Sequence, residues 1–472
     1  MRVLMFGWEF PPHISGGLGT ACFGLTQSLV RENVELTFVV PKLFGSETAG
    51  PMNLISASKI VLPIDGEKPV AIRRTVRKEK AIPRSATEIK LSRAQKTKAA
   101  ISYVEVEAAL DPYTSTTSLQ EQKTLTNWNY VFEEKVRRNW SETITWEEIE
   151  EDLIKPKGYT YNFSGSYGSN LFEEVNAYAK VAGQLAREYA HDVIHAHDWM
   201  TFAAGIEAKK ISGKPLVVHV HATEHDRSGH LAGPVYEWEK RGMAEADRIV
   251  AVSKWTKNIL VNRYGIPAEQ IEVVHNGINT GENSIIESSE LFGSQVVTFL
   301  GRVTQQKGPG YFIEAASKVV EKFPDAHFIV AGSGDLLPRT IERVAELRLS
   351  DRFHFTGFLD RDWINKVWSM SDVYVMPSVS EPFGITPLEA VQAGVPVILS
   401  NQCGVAEVMP DALKVDFWDV EALAESICSV LSYKSLSSML KTRGEEHVKK
   451  LSWGKAAVKL KSLYEELTTT PN

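Results

Sequence analysis

Cysteine is scarce in this chain of 472 residues: only Cys22, Cys403 and Cys428 occur, far apart and outside any C-x-x-C or Cys/His metal pattern. That usage excludes a disulfide scaffold and suits a reducing compartment, so the three read as free thiols. Long apolar runs are missing too. No stretch reaches the roughly 18 apolar residues of a membrane span. The N-terminal run Met1-Arg2-Val3-Leu4-Met5-Phe6-Gly7 is too short for a signal peptide and reads as a buried first strand. The cytoplasm is the expected location. Basic residues are not in excess: a net charge of -7 argues against a broad nucleic-acid surface, while leaving room for a locally basic pocket around one phosphorylated ligand.

What is present is ordinary globular composition, 43% hydrophobic and 24% charged residues with 32 glycines and 21 prolines, which excludes fibrous or wholly disordered character. The length exceeds what one hydrophobic core usually serves, so two or more domains are expected.

Short β-rich apolar runs alternate with amphipathic stretches, the pattern of parallel sheets covered by helices. In the first half the strands are expected at Arg2–Gly7, Glu35–Val40, Asp192–His197, Pro215–His221, Arg248–Val252 and Ile271–His275. Helices are expected at Leu18–Arg31, Leu171–Tyr189, Phe202–Ile211, Val235–Ala246 and Lys254–Tyr264. A polar stretch, Thr280–Ser289, suits a linker, after which strands recur at Val296–Gly301, His327–Ala331, Phe353–Thr356, Val373–Met376, Val395–Leu399 and Leu413–Val415. Two doubly wound sheets follow. Ligands bind beyond the carboxyl ends of such strands, so two sheets facing each other imply a cleft between domains. The expected division is 1–280, 281–445 and a closing helix at 446–472. Residues 42–157 break the alternation, with a charged segment at Arg73–Lys98 and an aromatic, acidic one containing Trp128, Trp140 and Trp146. This is read as an insertion, shaping an acceptor surface or adding a structural patch.

Several strings carry chemistry. Arg302 and Lys307 stand in the loop after Phe299-Leu300-Gly301, where two fixed cations could stabilise a departing diphosphate without a metal. Either alone is also what a solvated surface charge looks like. Glu381-Pro382-Phe383-Gly384-Ile385-Thr386-Pro387-Leu388-Glu389 joins a strand to a helix. Amides near Gly384 and Ile385 could take phosphate oxygens, and Glu381 and Glu389 could take sugar or ribose hydroxyls. In the first half, Pro11–Gly19 joins the first strand to the first helix, and its Gly16 and Gly17 permit close backbone approach to a ligand. His195-Ala196-His197-Asp198-Trp199 and His219-Val220-His221 end two strands at the cleft edge, although any one histidine could be structural.

These strings, with Val274-His275-Asn276-Gly277, resemble in order and spacing the retaining glycosyltransferases of the GT-B fold, in the branch of glycogen and starch synthases and related group 1 transferases. The resemblance spans nearly the whole chain, down to Leu451-Ser452-Trp453 before a last helix that in the family packs back on the first domain. It implies a GT-B fold of two Rossmann-like domains and a hexosyltransferase that needs no metal or cofactor. The donor would be a nucleotide diphosphate sugar, ADP-glucose or UDP-glucose first. The acceptor would be a glucan end, or another glycan or small sugar. Arg302 and Lys307 match the diphosphate-binding cations, aided by amides near Gly17 and at Gly384–Ile385. Glu381 matches the carboxylate on the transferred sugar, Glu389 the one on the ribose, and His221 the histidine against the donor sugar. Asp198 matches an acidic residue near the acceptor, and Phe358 an aromatic beside the base. Ile14 stands where glycogen and starch synthases usually carry Lys, which weakens transfer of ADP-glucose specificity. The Phe383–Glu389 string is closer to the broader group 1 enzymes, whereas Trp8-Glu9-Phe10-Pro11-Pro12 leans to the synthases.

Two other classes compete. His195, His197, Asp198, His219, His221, His225, Asp226 and His230 could form the zinc site of a metal-dependent hydrolase, which would leave Arg302, Lys307 and the Glu381–Glu389 string unexplained. A nucleotide-sugar epimerase or a phosphorylase would share the paired sheets but differ in reaction.

Overall fold

The first strand shows why the sheets are parallel. Val3, Leu4, Met5 and Phe6 are consecutive and all buried, so both faces of the strand are covered and no polar alternation is possible. A computed structural model of the protein describes residues 1–13, 16–47, 50–63, 158–278 and 294–469, and the backbone of strands at 70–79 and 146–155. Ile14, the linker Thr280–Ser289, most of the 42–157 stretch including Trp128 and Trp140, and the side chains of Arg73 and Trp146 lie outside the described residues.

In chain order the strands are β1 (Arg2–Phe6), β2 (Glu35–Val40), β3 (Asn53–Ser56), β4 (Leu62–Pro63), β5 (Val70–Glu79), β6 (Trp146–Lys155), β7 (Gly158–Tyr159), β8 (Val193–His197), β9 (Leu216–Val220), β10 (Arg248–Ala251) and β11 (Ile271–Val273). The second series is β12 (Val296–Leu300), β13 (His327–Ala331), β14 (Phe353–Gly357), β15 (Val373–Met376), β16 (Val397–Ser400) and β17 (Leu413–Val415). Seven form one parallel sheet in the order β11-β10-β9-β8-β1-β2-β3, and six form a second in the order β14-β13-β12-β15-β16-β17. Both are α/β sheets with helices between most consecutive strands, and both reverse their strand order at the centre, beside β1 and β12. That reversal opens the crevice where ligands bind.

One expectation is corrected. β3 pairs with β2 from Thr37–Asn53 to Val40–Ser56, so the stretch expected to be inserted from residue 42 begins as the edge of the first sheet. The described residues between 61 and 160 fall in a separate unit, and there β4 pairs antiparallel with β7 and β5 with β6.

Both large sheets and their helices belong to the other compact unit. The last helix, Trp453–Thr469, lies against the first, Gly17–Arg31, and completes the core of the first sheet with Trp453, Leu460 and Tyr464. Gly24 makes that approach possible, because a Cβ there would stand 2.3 Å from the Trp453 ring. Burying a ring of that size stabilises by roughly 3 kcal/mol. The two sheet-bearing halves touch beside this helix. The Glu407 carboxylate accepts the Lys254 and Trp255 amides at 2.9 and 2.6 Å, at the start of the helix Lys254–Tyr264, and pairs with His275 at 3.0 Å.

Asp192 immediately precedes β8, next to β1. It accepts the Arg2 amide and guanidinium, each at 2.8 Å, and the guanidinium bond holds its carboxyl down to about 2. A lowered carboxylate contributes stability that is complete above pH about 4 and fades as pH falls towards 2. Half-exposed as the pair is, Asp192→Ala is expected to cost about 1 kcal/mol at pH 7. The gap between the urea midpoints of the two proteins should narrow from pH 4 downward and close only near pH 2, and a gap that stays constant with pH would show that the ion pair is not its source.

Candidate active site

β12 ends at Leu300, and the chain passes through Gly301 and Arg302 into the short turn Gln305–Lys307. Gly308 follows at φ +66°, where a Cβ would lie 2.2 Å from the Pro377 carbonyl, so glycine lets this loop sit against the one after β15. Gln306 fastens the two. Its side-chain amide donates to the Ser380 carbonyl at 3.1 Å, and its own carbonyl accepts the Val379 amide at 2.9 Å. The Arg302 guanidinium donates to the Gln306 side chain at 3.4 Å. Lys307 is thereby delivered to Glu381 as an ion pair, with 21% and 10% of the two side chains exposed.

Glu381 is anchored by its backbone as well, its amide donating to Gln402 and its carbonyl accepting from Gly404, both at 2.9 Å. Gly384 then takes φ +95°, and a Cβ there would crowd Glu381 and Met376. Ile385 opens the helix Thr386–Gln392, on which Glu389 is half-buried. Burial pushes the Glu389 carboxyl up while Arg361 pulls it down, which puts the start of helix Arg361–Met370 near that carboxylate. Phe358 follows the left-handed Gly357 three residues before Arg361, with its ring 60% exposed. Arg302, Lys307, Glu381, Gly384, Ile385, Glu389 and Phe358 therefore all stand on loops or first turns beyond the carboxyl ends of β12, β14 and β15.

The first half supplies the other wall. Gly16 caps the helix Gly17–Arg31 without a side chain, and a Cβ on Gly17 would meet open space. Beneath this turn lies Glu9, whose carboxylate accepts the Tyr167 hydroxyl. Burial raises the Glu9 carboxyl, and Tyr167 and then Arg302 counter it, so Arg302 of the second half acts electrostatically on this wall. β8 and β9 end side by side, stacking His195 on His197 at 4.4 Å and His219 on His221 at 4.2 Å. His197 Nδ1 meets His221 Nε2 at 2.9 Å. Burial drives the His195 and His221 imidazoles down to about 3, and those of His197 and His219 well below their ordinary value, so all four are neutral at pH 7.

Asp198 directly follows β8, at the same strand end as the histidines. Only 4% exposed and at φ +59°, it accepts the His221 and Ala222 amides at 2.7 and 3.3 Å and so holds the turn that carries His221. Burial pushes its carboxyl up to about 7 against the pull of Arg227 and those amides. The zinc-hydrolase set also disperses. Among the described residues, only the trios His195, His197, His219 and Cys22, His197, His221 bring potential ligand atoms within 4.8 Å of one another. Asp226 instead forms a capping box with Thr223 and accepts the Ser380 hydroxyl at 2.5 Å, joining the two walls.

Glu9, Gln306 and Ser380 were not singled out by sequence as parts of this site, and Asp226 was named only as a candidate zinc ligand. Glu9 and Gln306 lie inside strings that were, but their partners are remote in the chain, and no local pattern marks them.

Residues 282–447 match the family described as Glycosyl transferases group 1, and residues 154–282 match Glycosyltransferase Family 4. An uncharacterized glycosyltransferase of Methanocaldococcus jannaschii is 32% identical over 294 residues, 58% of this chain and 75% of that protein. A glycogen synthase of Mycobacterium tuberculosis is 28% identical over 253 residues, 52% of this chain and 61% of its own length. A D-inositol 3-phosphate glycosyltransferase of Salinispora tropica is 29% identical over 342 residues, 64% and 71% of the two chains. The sucrose-phosphate synthase structure from Thermosynechococcus elongatus superposes with a TM-score of 0.61 at 18% identity, covering 99% of this chain and 98% of that one. It shares the fold, GT-B.

Because Asp198 satisfies two buried amides, Asp198→Ala is expected to lose about 2 kcal/mol, whereas Asp198→Asn keeps an acceptor oxygen and stays within about 0.5 kcal/mol of the parent. Denaturant titration of the three proteins at pH 7 tests this, and equal losses in both variants would mean the carboxylate charge matters rather than its acceptor geometry.

Proposed function

Since the chain belongs to the group 1 glycosyltransferases, we propose that it moves a hexosyl group, glucose first, from a nucleotide diphosphate sugar to the non-reducing end of an α-1,4-glucan, with retention of configuration and without a metal ion. The observation that carries this reading is the Lys307–Glu381 ion pair, set beside Arg302 at the carboxyl ends of β12 and β15. Two fixed cations on one loop can neutralise a departing diphosphate without reorganising, the task a divalent ion otherwise performs.

In this reading Arg302 and Lys307 hold the diphosphate, aided by amides at Gly16–Gly17 and Gly384–Ile385. Glu389 receives the ribose hydroxyls, and Phe358 lies beside the base. The bond from the anomeric carbon to the diphosphate oxygen breaks, and the acceptor oxygen bonds to the same face of that carbon. The acceptor's proton passes to the departing diphosphate oxygen. Glu381, exchanging part of its contact with Lys307 for the sugar, offsets the positive charge on the ring. Neutral His221 faces the sugar as a hydrogen-bonding group, and Asp198 keeps it in place. The reaction is placed in the cytoplasm, in keeping with three buried free cysteines. No helix among the described residues is long and apolar enough to cross a membrane.

A second acceptor class is supported by the Salinispora tropica relative, whose name gives it an inositol phosphate acceptor, at 29% identity against 28% for the glycogen synthase. The two readings share donor chemistry and differ in what the first half must bind.

Purified protein is offered ADP-, UDP- and GDP-sugars in EDTA, with maltooligosaccharide, inositol phosphate or no acceptor, and nucleoside diphosphate release is followed. Glucan-dependent release from ADP- or UDP-glucose is expected, falling about 100-fold or more in Lys307→Ala and in Glu381→Gln. Release only with inositol phosphate removes the glucan assignment and keeps the transferase. Activity that needs added magnesium or manganese defeats the two-cation mechanism.

A further inference from the structure

The four stacked histidines are more than the transfer reading uses. His195, His197 and His219 are 0%, 0% and 2% exposed, in the core face where the first and last helices cover the sheet. Four of their ring nitrogens have no hydrogen-bond partner: His195 Nε2, His197 Nε2 and both nitrogens of His219. A buried neutral imidazole must hide one N–H and one lone pair. Leaving either unpaired is costly, and three such rings side by side are rarely tolerated as packing alone.

The paired nitrogens are arranged as metal-binding histidines usually are, with the far nitrogen engaged and the near one bare. His195 Nδ1 faces the Tyr464 hydroxyl at 2.5 Å, and His197 Nδ1 faces His221 Nε2 at 2.9 Å, so each can turn a free Nε2 lone pair inward. The ligand atoms of His195, His197 and His219 already lie within 4.8 Å of one another, and the buried Cys22 thiol lies equally near those of His197 and His221. We propose that His195, His197 and His219, with Cys22 as fourth ligand, bind a structural zinc ion in the core of the first half. Three imidazoles and a thiolate suit zinc, which takes four nitrogen and sulfur ligands tetrahedrally. Bonds of about 2.1 Å to nitrogen put ligand atoms about 3.4 Å apart, so the rings rotate out of their stacks as they close on the ion. All four sites being filled, the ion has no open position for substrate. It stands behind His221 and contributes through stability, independently of the transfer reading.

Full-length protein is loaded with zinc, passed over a chelating resin and assayed by elemental mass spectrometry, with exposed His230 as the control position. The parent and His230→Ala are expected to retain about one zinc per chain, and His219→Leu and Cys22→Ser about tenfold less. Added zinc should raise the melting temperature of the parent and not of His219→Leu. Should the variants fail to fold, zinc-edge X-ray absorption of the parent decides alone. Three imidazole nitrogens and one sulfur support the site; an all-oxygen shell, or a parent that emerges without zinc, overturns it. Diphosphate release lost in step with zinc removal would count against metal-independent transfer while leaving the site intact, so the two proposals fail separately.

Discussion

Asp226 is 3% exposed and uses both carboxylate oxygens. One accepts the amide and hydroxyl of Thr223, two residues beyond His221, and the other accepts the hydroxyl of Ser380, next to Glu381. A single carboxylate thus sets the position of a first-half loop against a second-half loop. Charge-assisted bonds of this kind are short and directional, and leaving such a carboxylate unpaired inside the protein costs several kcal/mol. The wall that carries His221 and the wall that carries Lys307 and Glu381 keep one spacing as long as this carboxylate is satisfied.

A second joint runs alongside. Ser253 donates to the Pro382 carbonyl at 2.5 Å, and Glu407 caps the helix that Ser253 begins while accepting from His275. Gly404 is required there, since a Cβ would lie 2.2 Å from that same carbonyl and 2.5 Å from Ser253. The Pro382 carbonyl therefore ties the loop carrying Glu381 to the first half on its other side. A negative charge at the helix start, near an opposed backbone dipole, makes this joint electrostatic rather than apolar. Ile385 adds an apolar contact, packing against the cores of both halves.

The two walls differ in charge. In the second half the partly buried groups are an ion pair, Lys307 with Glu381. In the first half burial encloses histidines with no opposite charge beside them, and the imidazoles respond by losing theirs. One wall thus presents an ion pair beside Arg302 and the other neutral imidazoles, a division in keeping with the proposed ligand, which has a diphosphate at one end and a sugar at the other.

The sequence by itself determined the two series of parallel strands, since strands such as Val373–Met376 are apolar on both faces and the requirement is local. It also determined that Arg302, Lys307 and Glu381 stand on strand-to-helix loops and Glu389 in the first turn of the helix that follows, because turn glycines and strand ends are marked within a few residues of them. The edge strand Asn53–Ser56 escaped notice, being four residues long and mostly half-buried, with no apolar run to announce it. Only the tertiary structure decided that Lys307 meets Glu381, that Gln306 clasps Ser380, that Asp226 bridges the walls and that Asp198 turns inward to hold His221. Each of these depends on groups between 23 and 154 positions apart in the chain. Hydrogen-bond geometry between such distant groups exists only once the sheets have set where their loops end.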